Sequence, residues 1–321
     1  MERTDSDTQH QYWRAMQPWG LEPADIERVV CNLLKHGRPY TAVDVLSMGV
    51  RRRKDIPQVL IAEALELALQ TDPKTDAHIQ SFSFHVGHLL NRLEPAGADD
   101  RNRIARLEWG YLSLLRFDRS PKYLHQELGC NPQFFSDIIA LLFRAQGEEP
   151  NEHSKEQEAQ AQHGFDLLES WRTVPGTSEK GDINVHELNE WVRRARELTQ
   201  ANGRGRIGDQ MIGKVLSGSP NGTDGVWPAE PVRDIIENVA SHDLEQGFEV
   251  GRFNSRGVVM RHPAEGGGQE RQLKERYEKC AEAVRDRWPR SAAMLRRLAD
   301  TYRAQARRED DHSELLEQLD A

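Results

Sequence analysis

Long apolar runs are missing from this chain. No window approaches the ~18 consecutive apolar residues of a membrane-spanning helix, so no span is expected. The opening MERTDSDTQHQYW has no apolar core, so no secretory signal is expected either. Cysteine is scarce: Cys31, Cys130 and Cys280 stand far apart, with no CxxC pair and no even framework. That distribution favours a reducing compartment, and the expectation is a cytoplasmic protein. Motifs of catalysis are absent too. There is no Walker loop, no GxSxG elbow, no HExxH and no Cys/His pair in a recognisable setting, which lowers the expectation of an enzyme without excluding one.

What the chain does contain is charge and helical periodicity. Charged residues make up 30% and hydrophobic residues 37%, and the hydrophobic residues recur at regular spacings, which separates the chain from a disordered one. PADIERVVCNLLKHG places Ile26, Val29, Val30, Leu33 and Leu34 three and four apart, and Gly37 closes the pattern. Similar stripes follow in RPYTAVDVLSMGVRRR, IPQVLIAEALELALQ, DAHIQSFSFHVGHLLNRLEP and DRNRIARLEWGYLSLLRF, the last read as one helix. Ser120–Pro121 and Asn131–Pro132 each carry the signature of a cap followed by proline in the first turn. The spacing predicts about fifteen helices and almost no strand, Arg256–His262 being the one stretch that looks extended. The expected fold is all-α, an irregular α-solenoid of stacked helical hairpins, with a compact multi-helix bundle as the alternative. The expected organisation is a helical-hairpin array over 1–145, a polar linker over 146–162, and a helical domain over 163–321 that ends in a long α-hairpin.

Several motif-like stretches favour ordinary structural readings. Asn202–Gly208 contains a literal GxGxxG, but a helix rather than a strand precedes it, so a helix–helix turn is expected. SEKGDINVHEL matches the second half of a calcium loop, yet its early ligand positions fall on Gly176, Ser178 and Lys180. A helix start capped by Asp182 or Asn184 is the better reading. His78, His85 and His88 lack a nearby cysteine or acid to complete a zinc tetrahedron. Glu309–His312 reads as a solvated end in which Asp310 or Asp311 caps a last short helix. No metal and no cofactor is expected.

The most unusual stretch is GRFNSRGVVMRHPAEGGGQER. Arg252, Asn254, Arg256, Arg261 and His262 precede a glycine run around Gly267 that opens a long helix. Bare amides at a helix N-terminus attract anions, and arginines add charge, so a phosphate or carboxylate site is a candidate here. In the helix that follows Pro289, Ala292, Leu295, Leu298, Ala299, Tyr302 and Ala306 share one arc at ~100° per residue. Arg296, Arg303 and Arg307 line one flank, and Arg290, Arg297 and Arg308 lie on the far side. The partner stripe is expected in the preceding helix, with Leu273, Tyr277, Ala281 and Val284 leading to Trp288 at the corner. Basic residues outnumber acidic ones between Gln269 and Arg308, although the whole chain carries −9. No aromatic-rich platform accompanies them.

Two passages, Arg103–Arg144 and Gly225–Asp310, carry a resemblance. FNSRGV, the glycine run with QER, and WPRSAAMLRRLA resemble the C-terminal helical, HEAT-like region of very large uncharacterised bacterial proteins, over most of Trp19–Asp310. The resemblance implies a helical scaffold or sensor attached to other modules and assigns no catalytic residue. The expected function is therefore a non-enzymatic interaction scaffold with a protein partner. The alternative is binding of nucleic acid or a phosphate ligand through the arginine-rich 252–308 surface.

Overall fold

The computed structural model of the chain describes residues 6–17, 20–52, 55–72, 79–115, 119–149, 154–178, 180–257 and 266–319. The protein is all-helical, with no strand among the described residues; pairing of the extended kind is limited to one isolated bridge between Thr177 and Ile183. No helix among these residues is long and apolar enough to cross a membrane. Two compact units divide the chain: 1–127 with 162–170, and 128–161 with 171–321.

The first unit is built on helices α1 (Ser6–Ala15), α2 (Ile26–Lys35), α3 (Pro39–Arg51), α4 (Gln58–Gln70), α5 (Ile79–Leu90), α6 (Ala98–Gly110), α7 (Leu112–Leu115) and most of α8 (Lys122–Cys130). The predicted stripe of α2 is its core face: Ile26, Val29, Val30 and Leu33 are buried against Val43, Leu46 and Val50 of α3 within one hydrophobic cluster. Arg38 closes the end of α1, donating through Nη1 to the carbonyls of Trp13 (3.1 Å) and Met16 (2.6 Å), which places a cation where a helix C-terminus favours one. The single helix expected over 100–117 is two among the described residues. α6 ends at Gly110, and Tyr111 turns the chain, its hydroxyl donating to the Leu65 carbonyl at 2.7 Å inside the core.

The cap of α8 also differs from the local expectation. Ser120 is not its acceptor; Ser120 Oγ lies 3.1 Å from His125 Nδ1. The first amides of α8, those of Tyr123 and Leu124, donate instead to Glu108 Oε2 at 2.8 and 2.9 Å. Burial pushes the Glu108 carboxyl above its ordinary range, while Arg119, 2.7 Å away, and the two amides pull it back.

The second unit contains α9 (Pro132–Leu142), α11 (Val185–Ala201), α12 (Gly205–Leu216), α13 (Glu230–Val239), α14 (His242–Asn254), α15 (Gly268–Val284) and α16 (Pro289–Leu319). A further helix, α10 (Lys155–Ser170), has residues in both units. Asn131 caps α9 as its sequence predicts, accepting from Gln133 and Phe134, and Asn184 caps α11 in the same way. GxGxxG is the expected turn between two helices, with Gly203 at φ +73°. Phe135, Trp171 and Trp191 make an aromatic core with ring centroids 5.1–6.2 Å apart.

Helices α12 and α14 approach each other closely through glycine. A Cβ on Gly213 would lie 1.9 Å from the Leu244 carbonyl oxygen, and one on Gly247 would lie 1.9 Å from that of Gln210. Only hydrogen fits between the two backbones at these positions. α15 and α16 form the predicted hairpin: Tyr277, Ala281, Val284 and Trp288 are buried with Ala292, Leu295, Leu298, Ala299, Tyr302 and Ala306. No separate short helix follows, because α16 runs through Asp310 and Asp311 to Leu319.

Candidate functional site

The geometry of the arginine-rich C-terminal region follows from two helix N-termini and their partners. α16 starts at Pro289, so its first free amides need acceptors. Glu237 of α13 supplies them. Its Oε1 accepts from the Ser291 amide at 2.8 Å and the Ser291 hydroxyl at 3.0 Å, and its Oε2 accepts from the Arg290 amide at 3.2 Å. Beside it, Trp288 donates its indole N–H to Asp234 at 2.7 Å. Two guanidinium groups lie over the Trp288 ring, Arg233 4.8 Å and Arg287 4.3 Å from its centroid. Arg233 is fully buried and donates to the Pro228 and Val226 carbonyls and to both oxygens of Asp224, which holds the Asp224 carboxyl below its usual range.

The N-terminus of α15 is the candidate anion site, and a carboxylate of the same chain occupies it. The Gly267 amide donates to Asp310 Oδ1 at 2.8 Å, and Arg271 Nη1 pairs with Asp310 Oδ2 at 2.6 Å. These two donors, the amide first, hold the Asp310 carboxyl below the ordinary range. Asp310 therefore caps α15 from α16 instead of capping a helix of its own. Gly267 has a second role: a Cβ there would lie 2.3 Å from the Ala306 carbonyl oxygen, so the hairpin closes on bare backbone.

The other predicted donors are also engaged. Arg252, in the last turn of α14, donates through Nε to the Tyr277 hydroxyl at 2.8 Å and lies 4.7 Å from the Trp227 ring centroid. Arg256 pairs with the fully buried Glu270 and donates to Gln269 Oε1 at 3.2 Å. Asn254 is exposed at the end of α14. Arg261 and His262, like most of the expected extended stretch 256–262, lie outside the described residues. Arg303 bridges Glu278 (2.8 Å) and Asp300 (2.6 Å). Arg296 and Arg307, together with Arg308, are exposed and have no carboxylate partner among the described residues. The structure thus does not gather the predicted residues around one ligand; it distributes them along the packing of α14, α15 and α16.

A network that the sequence did not suggest lies on the opposite flank. Arg290 and Arg297, expected on the far side of α16, face α14. Arg290 pairs with Glu245 at 2.7 Å, and Arg297 reaches both Glu245 and Glu249 at 2.7 Å. Burial pushes the Glu249 carboxyl upward more strongly than Arg297 draws it down. The signal was present as Glu245 and Glu249 four apart and Arg290 and Arg297 seven apart, each set on one helical face. What the pattern lacked was any statement that these faces meet.

Two large apolar side chains of α14 are exposed beside the polar Gln246. Val250 and Phe253 are three apart and 51% and 38% exposed, and the Phe253 ring lies 5.7 Å from that of Tyr302. At the GxGxxG turn, a cleft of about 300 Å³ holds Arg196 and Arg206, but Asp209 and Asp243 pair with them at 2.8 and 3.0 Å. Among the described residues, no group of three His, Cys, Asp or Glu side chains is placed to hold a metal ion. No family model, curated protein or solved structure matches this chain.

Proposed function

We propose that the chain is a protein-interaction scaffold, and that the partner docks on the outer face of α14 beside the flank of α16. The observation that carries this reading is the exposure of Val250 and Phe253 one helical turn apart, next to a helix pair whose arginines are largely neutralised by their own acids. An exposed aliphatic and aromatic pair with arginine at its edge has the composition of an interface core. The rigid support behind it, Arg297 tied to Glu245 and Glu249, limits the entropy lost on docking. The role is the one implied by the resemblance to helical regions of large uncharacterised bacterial proteins.

The alternative, binding of nucleic acid or phosphate through 252–308, rests on fewer groups than the sequence offers. Arg252, Arg256, Arg303 and the Gly267 amide have partners in the chain, which leaves Arg296, Arg307 and Arg308 on α16 and Arg276 and Lys279 on α15. Capture from a lysate of the native host, with proteins and nucleic acids quantified in one eluate over a salt series, separates the two. A stoichiometric protein retained as salt rises supports the scaffold. Nucleic acid that leaves steeply with salt overturns it, because phosphate contacts are lost with counterion uptake.

A further inference from the structure

Beyond the docking face, the second unit contains a cleft of about 360 Å³ between the 221–227 loop and one flank of α15. We propose that this cleft binds a small organic anion bearing phosphate or carboxylate groups. Its walls are fixed. Glu230 accepts from the Thr223 and Asp224 amides at 3.1 and 3.2 Å, Asp224 is held by Arg233, and the Trp227 indole donates to the Ser219 carbonyl at 2.8 Å. Arg252 lies over the Trp227 ring and is bonded to Tyr277 of α15, so loop and helix are joined through one cation.

The donors facing this space are available. Arg276 and Lys279 are exposed and have no carboxylate partner among the described residues, whereas Arg271 and Lys274 of the same helix are both ion-paired. Asn221 and Gln272, which also line the cleft, make no side-chain hydrogen bond among the described residues. The helix thus has two cations paired with acids of the chain and two more lining a preformed cleft with two free amides. Arginine supplies a planar fork for an oxyanion and lysine a point charge beside it. Glu275 is the one carboxylate lining the cleft, and it opposes the two cations. Its position gives the proposal a test with two signs.

Cys280 lines the same cleft and is partly accessible, whereas Cys31 and Cys130 are exposed elsewhere. The rate of iodoacetamide alkylation at each cysteine, mapped by peptide mass spectrometry on the full chain, therefore reports occupancy with two internal controls. Pyrophosphate and citrate are the probes, each compared with potassium chloride at equal ionic strength. We expect either probe to slow Cys280 several-fold and leave Cys31 and Cys130 unchanged. Protection by pyrophosphate alone identifies a phosphate ligand, and protection by citrate alone a carboxylate. R276E/K279E should abolish the protection, and E275Q should produce it at lower probe concentration. Equal slowing of all three cysteines, no slowing of Cys280 by either probe, or protection that survives R276E/K279E would overturn the proposal.

Discussion

Single carboxylates do much of the work of holding this molecule together. Asp310, Glu237 and Glu108 each close the N-terminus of a helix to which they do not belong. Because the Gly267 amide and Arg271 lower its pKa, Asp310 stabilises the fold fully above its unfolded value of roughly 3.9, and that contribution is lost as pH falls through the lower folded value. Asp310→Asn should therefore lower Tm near neutral pH, and the gap from wild type should shrink on acidification; calorimetry over a pH series checks it. Arg233 is the other critical residue. Replacing it with Met keeps the stem but leaves the Pro228 and Val226 carbonyls without their donor and removes the cation over Trp288. The expected loss is about 3 kcal/mol by denaturant unfolding. Local cap rules found Asn131 and Asn184, whose acceptors lie within three residues of the amides they serve. The long-range caps were invisible because sequence spacing says nothing about an acceptor 43 residues away, as Asp310 is from Gly267.

At the scale of helices, periodicity carried most of the fold. The α2 and α3 stripes, the α15–α16 hairpin and the corner at Trp288 follow from apolar spacing alone. Periodicity failed where a helix broke without losing its stripe, at Tyr111, since the residues on both sides still face the same core. It also gave no warning of how closely α12 and α14 approach, because the tightest contacts are made at glycines. Gly213→Ala or Gly247→Ala must push two backbones apart and should cost about 3 kcal/mol or more. Gly129 in α8 has open space at its Cβ, so Gly129→Ala should be neutral or stabilising by up to about 1 kcal/mol through helix propensity. Thermal unfolding of the three variants checks both signs.

On the scale of the whole molecule, a chain of net charge −9 carries an arginine-rich hairpin that pairs much of its charge with the chain's own acids. The candidate residues were legible as a cluster in sequence, but their roles were not. A row of arginines reads the same whether it meets phosphate or the next helix, and the deciding acids, Glu245, Glu249, Glu270 and Asp310, come from other turns of the fold. The exposed residues of α14 include an apolar pair, Val250 and Phe253, and that pair is the basis of the scaffold reading. Its most direct test compares two variants in the host-lysate capture, Val250→Asp/Phe253→Asp and Arg296→Glu/Arg307→Glu, each verified as folded by circular dichroism. The account predicts that the first variant loses the protein partner at least tenfold and the second retains it. Retention by the first and loss by the second would contradict it and move recognition to the free arginines of α16.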